Sequence, residues 1–125
     1  MNIVEAVQLK VGGKCDEMIF TLKGDYGAKP ERRQVRLVLS GDCCSQSFFE
    51  KNSIEDARGL VGLNLRAIEH VSSGIPDRKD ARFDVTVYHA VKITTEDRVV
   101  VIDWRNESNG YYDGECEVIG WEVKP

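Results

Sequence analysis

The chain has 125 residues, of which 42% are hydrophobic and 30% charged, and its formal net charge at pH 7 is −4. This length and this balance predict a single globular domain over residues 1–125 and argue against a disordered tail protein. The net negative charge disfavours a nucleic-acid polymer as partner, because binding to its phosphate backbone needs an excess of Lys and Arg.

Segments in which apolar and polar residues alternate predict about seven β-strands. In chain order they are Ile3–Lys10, Glu17–Lys23, Gln34–Ser40, Leu63–Val71, Phe83–Thr95, Val99–Arg105 and Glu115–Val123. The alternation is clearest in Phe83–Thr95, and the short polar segment 95–98 predicts a hairpin with Val99–Arg105. We expect this hairpin to bury one face, whose residues are Val85, Val87, Val91, Ile102 and Trp104.

One stretch, residues 45–60, is typical of helix and predicts one or two short helices. Ser53, with acidic residues just after it, is the expected N-cap, and Gly59 and Gly62 are expected to end the helix. The polar segment 72–82 predicts a loop and is the best candidate for a mobile segment. The chain therefore predicts an α+β fold that is mainly β: an antiparallel sheet of about seven strands, or a curved half-barrel, with one or two short helices.

The four cysteines are Cys15, Cys43, Cys44 and Cys116. Two are adjacent, where disulfide geometry is strained, and the set lacks the spacing of a disulfide framework, so we expect reduced thiols in the cytoplasm. No pair of Cys or His has the close spacing of structural zinc sites, so no metal and no other cofactor is expected. The N-terminal residues do not have the regions of a signal peptide, and the longest apolar run, Val99–Ile102, is far too short to cross a membrane.

Two polar segments are unusual for a sheet protein, because each follows a predicted strand and is dense in reactive or hydrogen-bonding side chains. The first segment, Gly41–Glu50, contains Asp42, Cys43, Cys44, Ser45 and Ser47. The second segment, Trp104–Gly114, contains Arg105, Asn106, Ser108, Asn109, Tyr111 and Tyr112. Although they are more than fifty residues apart in sequence, we expect these two segments to lie against one another.

Together the two segments resemble an uncharacterised family of small proteins from tailed phages and prophages. In that family a G-D/E-C-C-S-x-S-aromatic segment follows one strand, and an R-N-x-S-N-G-Y-Y-x-G segment follows a later one. The match runs from Val38 to about Val118, and the departure is Asp113, where the family pattern has a small residue. The resemblance implies a phage or prophage origin, and with it a place in the cytoplasm of the host cell. It assigns no activity, although small phage domains without enzyme motifs are often anti-defence factors, some of which sequester nucleotide-derived signals.

The first segment has more than one possible role. Its carboxylate and hydroxyl groups are suited to capping a helix N-terminus, and the free N–H groups of such a terminus also bind anions. The thiols of Cys43 and Cys44 either pack as small apolar groups or, near a helix N-terminus, become reactive. A reactive thiol would need His70 or His89 as its base, and His89 lies on the apolar face of its strand, which is typical of a core histidine.

The second segment has two interpretations. In the first it is only a hairpin connection, since Asn and Gly favour turns, and Arg105 forms a surface ion pair with Asp103. In the second, Arg105 binds a carboxylate or phosphate while Tyr111 and Tyr112 offer flat faces to a ring. We favour the second interpretation, because a connection of this length is richer in such side chains than a turn requires.

These observations lead to three hypotheses about function. The first is a phage-type, non-enzymatic binding protein that uses both segments as one pocket for a small anionic, nucleotide-derived ligand, as an anti-defence factor would. The second is an inhibitor that binds a host protein through a surface. The third is a small enzyme that depends on Cys43 or Cys44. We expect no membrane partner. A second copy of the chain, in a homo-oligomer, is a further candidate partner.

Overall fold

A computed structural model of the chain describes residues 1–24, 31–41, 45–78, 85–108 and 114–123, apart from the side chains of residues 72–78 and 85. Within these ranges the chain forms eight strands and one helix. In chain order they are β1 (Asn2–Val11), β2 (Asp16–Gly24), β3 (Glu31–Gly41), β4 (Gln46–Phe49), α1 (Lys51–Arg58), β5 (Leu65–Arg78), β6 (Val85–Thr95), β7 (Val99–Ser108) and β8 (Gly114–Ile119).

The eight described strands form two antiparallel sheets of four strands each. The strand order is β1-β2-β3-β8 in the first sheet and β4-β7-β6-β5 in the second sheet. The expected mainly β, antiparallel fold with a short helix is therefore confirmed. The arrangement differs in its detail, since the strands divide between two sheets where one sheet of about seven strands was expected.

Both sheets contribute to one hydrophobic core. In the first sheet the buried residues recur at every second position, as Met18, Phe20 and Leu22 do in β2, because successive side chains of a strand point to opposite faces. The face of the second sheet that turns to this core is called its inner face here. Its fully buried members include Ile68, Val91, Ile93 and Ile102.

The predicted hairpin of β6 and β7 is present, with an antiparallel register that places Val91 opposite Ile102. Val91, Ile102 and Trp104 are buried as expected, Val87 is partly buried, and the side chain of Val85 lies outside the described residues. The turn contains no glycine, and the Thr95 side chain organises it. Thr95 Oγ1 accepts a hydrogen bond from Arg98 N at 3.0 Å and donates one to Arg98 O at 3.0 Å.

The helix is shorter than expected and begins earlier than Ser53. Residues 46–49 form strand β4, and α1 begins after Glu50, which provides no side-chain cap. The prediction that Ser53 is the N-cap is wrong, because Ser53 lies within α1. Its side chain is buried, and Ser53 Oγ accepts a hydrogen bond from Asp103 N at 2.8 Å. Ser53 therefore ties the helix to β7. The helix ends at Gly59, as predicted.

The prediction of a loop over residues 72–82 is also wrong for the first seven of them, because they continue β5 as far as Arg78. The register with β6 shifts between Val71 and Ile75, so the strand contains an irregularity of the β-bulge type. A polar, Gly- and Pro-containing segment can pair here because β5 is the edge strand of the described sheet, where Pro is tolerated. Residues 79–82 lie outside the described residues.

The last strand ends at Ile119, four residues before the predicted end. Gly120 follows it with a φ of +89°, a conformation that favours glycine, and a Cβ there would also contact the backbone of Gln34. Among the described residues, no helix has the length and apolar character needed to cross a membrane.

Candidate functional site

The two polar segments lie against one another where the structure describes them. Strand β4 pairs antiparallel with β7, and this pairing places Ser47 opposite Asn106 and Phe48 opposite Arg105. The expectation that the segments converge is confirmed for these residues. The remaining members of the set lie outside the described residues; they are Asp42, Cys43, Cys44, Asn109, Tyr111 and Tyr112.

Ser45, Ser47 and Asn106 form a buried hydrogen-bonded group, called the serine–asparagine cluster here. Asn106 is fully buried, and its Nδ2 donates to Ser47 Oγ at 2.9 Å and to Ser45 Oγ at 3.2 Å. Ser47 Oγ in turn donates to the carbonyl oxygen of Ser40 at 2.9 Å. Since Ser40 belongs to β3, the cluster joins the two sheets. Ser108, also from the predicted set, is buried two positions after Asn106.

Two glycines close the serine–asparagine cluster. Gly41 and Gly114 are direct partners in the β3–β8 ladder. A Cβ on Gly41 would lie 2.6 Å from Ser45 Oγ, and a Cβ on Gly114 would clash with both Ser47 Oγ and the Ser40 carbonyl oxygen. The space over the cluster is therefore filled by backbone, and these side chains contribute to packing between the sheets.

Arg105 lies on the other face of the second sheet, because it alternates with Trp104 and Asn106 along β7. Its Nη1 is 3.5 Å from Glu50 Oε1, and its Nε is 3.4 Å from Glu107 Oε1. The guanidinium carbon is 5.2 Å from the centre of the Phe48 ring. Arg105 thus forms ion pairs with Glu50 and Glu107, whereas the sequence interpretation offered Asp103 as its partner.

A cleft of about 370 Å³ opens between the inner face of the second sheet and strand β8. Its described lining residues are His70, Val71, His89, Ala90, Trp104, Gly114, Glu115 and Cys116. They come from β5, β6, β7 and β8, which are distant in sequence. Among the two histidines, His70 is exposed and His89 is partly buried.

A stacked ring pair forms part of the cleft. The centres of the His89 and Trp104 rings are 4.1 Å apart, and their planes differ by 12°. Only 3% of Trp104 is exposed, whereas His89 is partly exposed, so the imidazole is the ring that the cleft presents. The sequence interpretation of His89 as a core histidine was therefore half right, since one face packs and the residue also lines a cleft. The sequence signal for this role was that His89 is a single polar residue on an otherwise apolar strand face.

The cleft opens at this point for a structural reason. His89 pairs with Trp104 on one side, and on the other side β5 departs from regular pairing between Val71 and Ile75. Bulges of this kind bend a strand and often lie beside functional sites. Within the part of the chain that the structure describes, the first sheet ends here with strand β8.

Cys116, which lines the cleft, is not an activated thiol. Burial raises the pKa of the Cys116 thiol to about 12, so the thiol is protonated at neutral pH. Cys15 and Cys116 are both free thiols. Among the residues that the structure describes, no three His, Cys, Asp or Glu side chains are grouped as metal ligands.

We expect Cys116 to react slowly with iodoacetamide in the folded protein at pH 8. Only the thiolate reacts, and a thiol with a pKa of about 12 is ionised far less than a free cysteine with a pKa of roughly 8.5. Pulse alkylation followed by peptide mass spectrometry should show modification at least about a hundredfold slower in the native than in the denatured protein. Equal rates in the two states would show that the thiol is not shielded.

Comparison with known families gives one match. The model of a family described as a domain of unknown function (DUF7448) matches residues 9–118. The chain belongs to this family. The matched range includes both polar segments, the serine–asparagine cluster and the lining residues of the cleft that the structure describes. Searches of curated proteins and of solved structures found no significant match.

Proposed function

We propose that this protein is a small non-enzymatic binding module that holds a nucleotide-derived molecule in the cleft between β8 and the second sheet. The cleft volume of about 370 Å³ lies within the range of roughly 300–1,000 Å³ that is usual for small-molecule sites. Such a volume suits a nucleoside or a nucleotide and is too small for a folded partner.

The observation that carries this proposal is the stacked pair of His89 and Trp104. Their rings are nearly parallel at 4.1 Å, and Trp104 supports the imidazole from the buried side. A ring that is held in this way presents a rigid flat face, and flat faces bind the rings of ligands by stacking.

The described polar groups favour binding over catalysis. The Cys116 thiol is protonated, and the hydroxyls of Ser45 and Ser47 accept hydrogen bonds from Asn106 within the closed cluster. Nucleophilic catalysis needs an accessible hydroxyl or thiol beside a base. Neither serine meets that requirement, since both are buried under Gly41 and Gly114.

The resemblance of the two polar segments to phage and prophage proteins supports a biological setting for this activity. In an infected cell, a small cytoplasmic protein that holds a nucleotide-derived signal would lower the free concentration of that signal. We therefore propose an anti-defence role through sequestration. Membership of an uncharacterised family is compatible with this role and leaves the ligand to experiment.

Thermal unfolding in the presence of nucleosides and nucleotides tests the proposal. A ligand that binds only the folded state at a hundred times its Kd should raise stability by about 2.7 kcal/mol. We expect the shift in wild type and its loss in His89→Ala. Arg105→Ala is the matched control, because Arg105 lies on the opposite face of the sheet and should leave the shift unchanged.

Two outcomes would contradict the proposal. If no nucleoside or nucleotide shifts the wild-type melt, the cleft does not hold such a ligand, and an inhibitor that binds a host protein becomes the better hypothesis. If the shift occurs but is lost in Arg105→Ala and kept in His89→Ala, the ligand binds on the outer face beside Arg105 instead.

A further inference from the structure

A second, smaller pocket lies in the first sheet, at the end where β1 begins, β2 ends and β3 begins. Its volume is about 150 Å³, and its described lining residues are Asn2, Gly24, Glu31, Arg32 and Arg33. It is called the arginine pocket here. The strand pairing explains the grouping, because Gly24 lies opposite Asn2 on one side and opposite Glu31 on the other. The arginine pocket shares no described lining residue with the cleft.

The guanidinium of Arg33 is held in the arginine pocket by uncharged partners. Its Nη2 donates to Asn2 Oδ1 at 3.1 Å, and its carbon lies 5.0 Å from the centre of the Trp121 ring. Asn2 is itself fixed, because its backbone N–H donates to Asn64 Oδ1 at 2.7 Å. None of the ion pairs between described residues involves Arg33. Its positive charge is therefore positioned by its neighbours without a paired carboxylate.

The charge of Arg32, by contrast, is balanced within the protein. Its Nε and Nη2 donate to the two carboxylate oxygens of Glu5 at 2.9 and 3.1 Å, and this fork lowers the pKa of the Glu5 carboxyl. Lys23 lies opposite Arg32 in the β2–β3 pairing, and its charge lowers the pKa of Glu5 further. Glu31, on the rim of the arginine pocket, opposes these cations. The main anion-binding group is consequently Arg33.

We infer that the arginine pocket binds an oxyanion group, a phosphate or a carboxylate, through the guanidinium of Arg33. A guanidinium has five N–H donors in a planar fork, which matches two oxygens of such a group. The pocket is smaller than the roughly 300–1,000 Å³ of sites that enclose a whole small molecule, so it suits one end group of a ligand. This site is separate from the cleft, and the inference does not rest on the proposed nucleotide binding.

NMR titration of the ¹⁵N-labelled protein tests this inference, with inorganic phosphate and acetate as separate probes. Sodium chloride keeps the ionic strength constant, so that screening is the same at every point. We expect saturable shifts of the Arg33 Nε–H and Trp121 indole N–H signals with at least one probe, and the probe that binds identifies the oxyanion. Shifts that do not saturate with either probe, or that saturate only at other residues, would overturn the inference.

Variants of the arginine pocket assign the binding to its charges, with the Trp121 indole as reporter. Arg33→Ala should raise the Kd of the probe at least about tenfold, and Arg33→Lys at least about threefold, because an ammonium lacks the planar fork. Glu31→Gln should lower the Kd about threefold, since it removes a negative charge beside the anion. Arg58→Ala is the matched control, because it removes the same charge from the exposed face of α1.

The Kd of Arg58→Ala should stay within about twofold of the wild-type value, since a distant exposed charge is screened. Equal Kd values for the wild type and Arg33→Ala, or equal losses in Arg33→Ala and Arg58→Ala, would overturn the inference. If Arg33→Ala fails to fold, Arg33→Lys and Glu31→Gln decide, and an unchanged Kd in both would overturn it as well.

Discussion

Replacing Trp104 by Ala is expected to lower the free energy of unfolding by about 3–5 kcal/mol, which is the usual loss when a large aromatic side chain is removed from a core. Only 3% of Trp104 is exposed, and the residue lies on the central strand β7 between Phe49 and His89. Its removal takes away part of the core and the support of the stacked imidazole. Urea denaturation of the wild type and the variant measures the loss.

Trp121→Ala is the matched control for this substitution. Trp121 is only partly buried, beyond the end of β8, and its ring lies 5.0 Å from the guanidinium carbon of Arg33. Its removal should cost clearly less than that of Trp104, since less apolar surface returns to water. A loss below about 1 kcal/mol for Trp104→Ala would show that our assignment of the buried face is reversed.

Gly114→Ala is expected to destabilise the protein by about 1–3 kcal/mol or more, as overpacking of a tightly filled site does. The added methyl group would meet Ser47 Oγ and the Ser40 carbonyl oxygen, and it would lie 2.9 Å from Asn106 Nδ2. Two of these atoms are joined by the hydrogen bond that connects the sheets, so relief of the clash would disturb it. Chemical denaturation again provides the measurement.

Gly13→Ala is the control for the glycine substitution. Gly13 is exposed, and an added Cβ there would have no atom within 4 Å. The change should therefore stay within about 0.5 kcal/mol, as surface substitutions usually do. If Gly13→Ala and Gly114→Ala lowered stability equally, the loss at Gly114 would not be specific to the closed serine–asparagine cluster.

The hairpin of β6 and β7 illustrates what local sequence predicts well. Alternation of apolar and polar residues assigns one face of each strand, and the short segment between the strands leaves them few ways to pair. Strand β4 was missed because four residues are too few to show a period. It forms because Ser47 N donates to Lys14 O at 2.9 Å and the strand pairs with β7, both of which are contacts distant in sequence.

In the candidate site, too, the sequence predicted one part and the tertiary structure decided the rest. Ser45, Ser47 and Asn106 were predicted site residues because their two segments are dense in hydrogen-bonding side chains. The structure does place these three residues together. Whether such groups line a pocket or fill a core depends on what covers them. Here the cover is Gly41 and Gly114, which pair with each other in the other sheet.

The sequence by itself determined the mainly β class and the faces of the long strands, because these follow from the two-residue period of a strand. The tertiary structure alone decided that the chain divides into two sheets, that the serine–asparagine cluster is closed, and that a cleft opens beside it. His70, His89 and Cys116 belong to three strands, and no local pattern relates them. Their common position depends on how the edge strand β8 packs over the inner face of the second sheet, which is set by contacts across the whole chain.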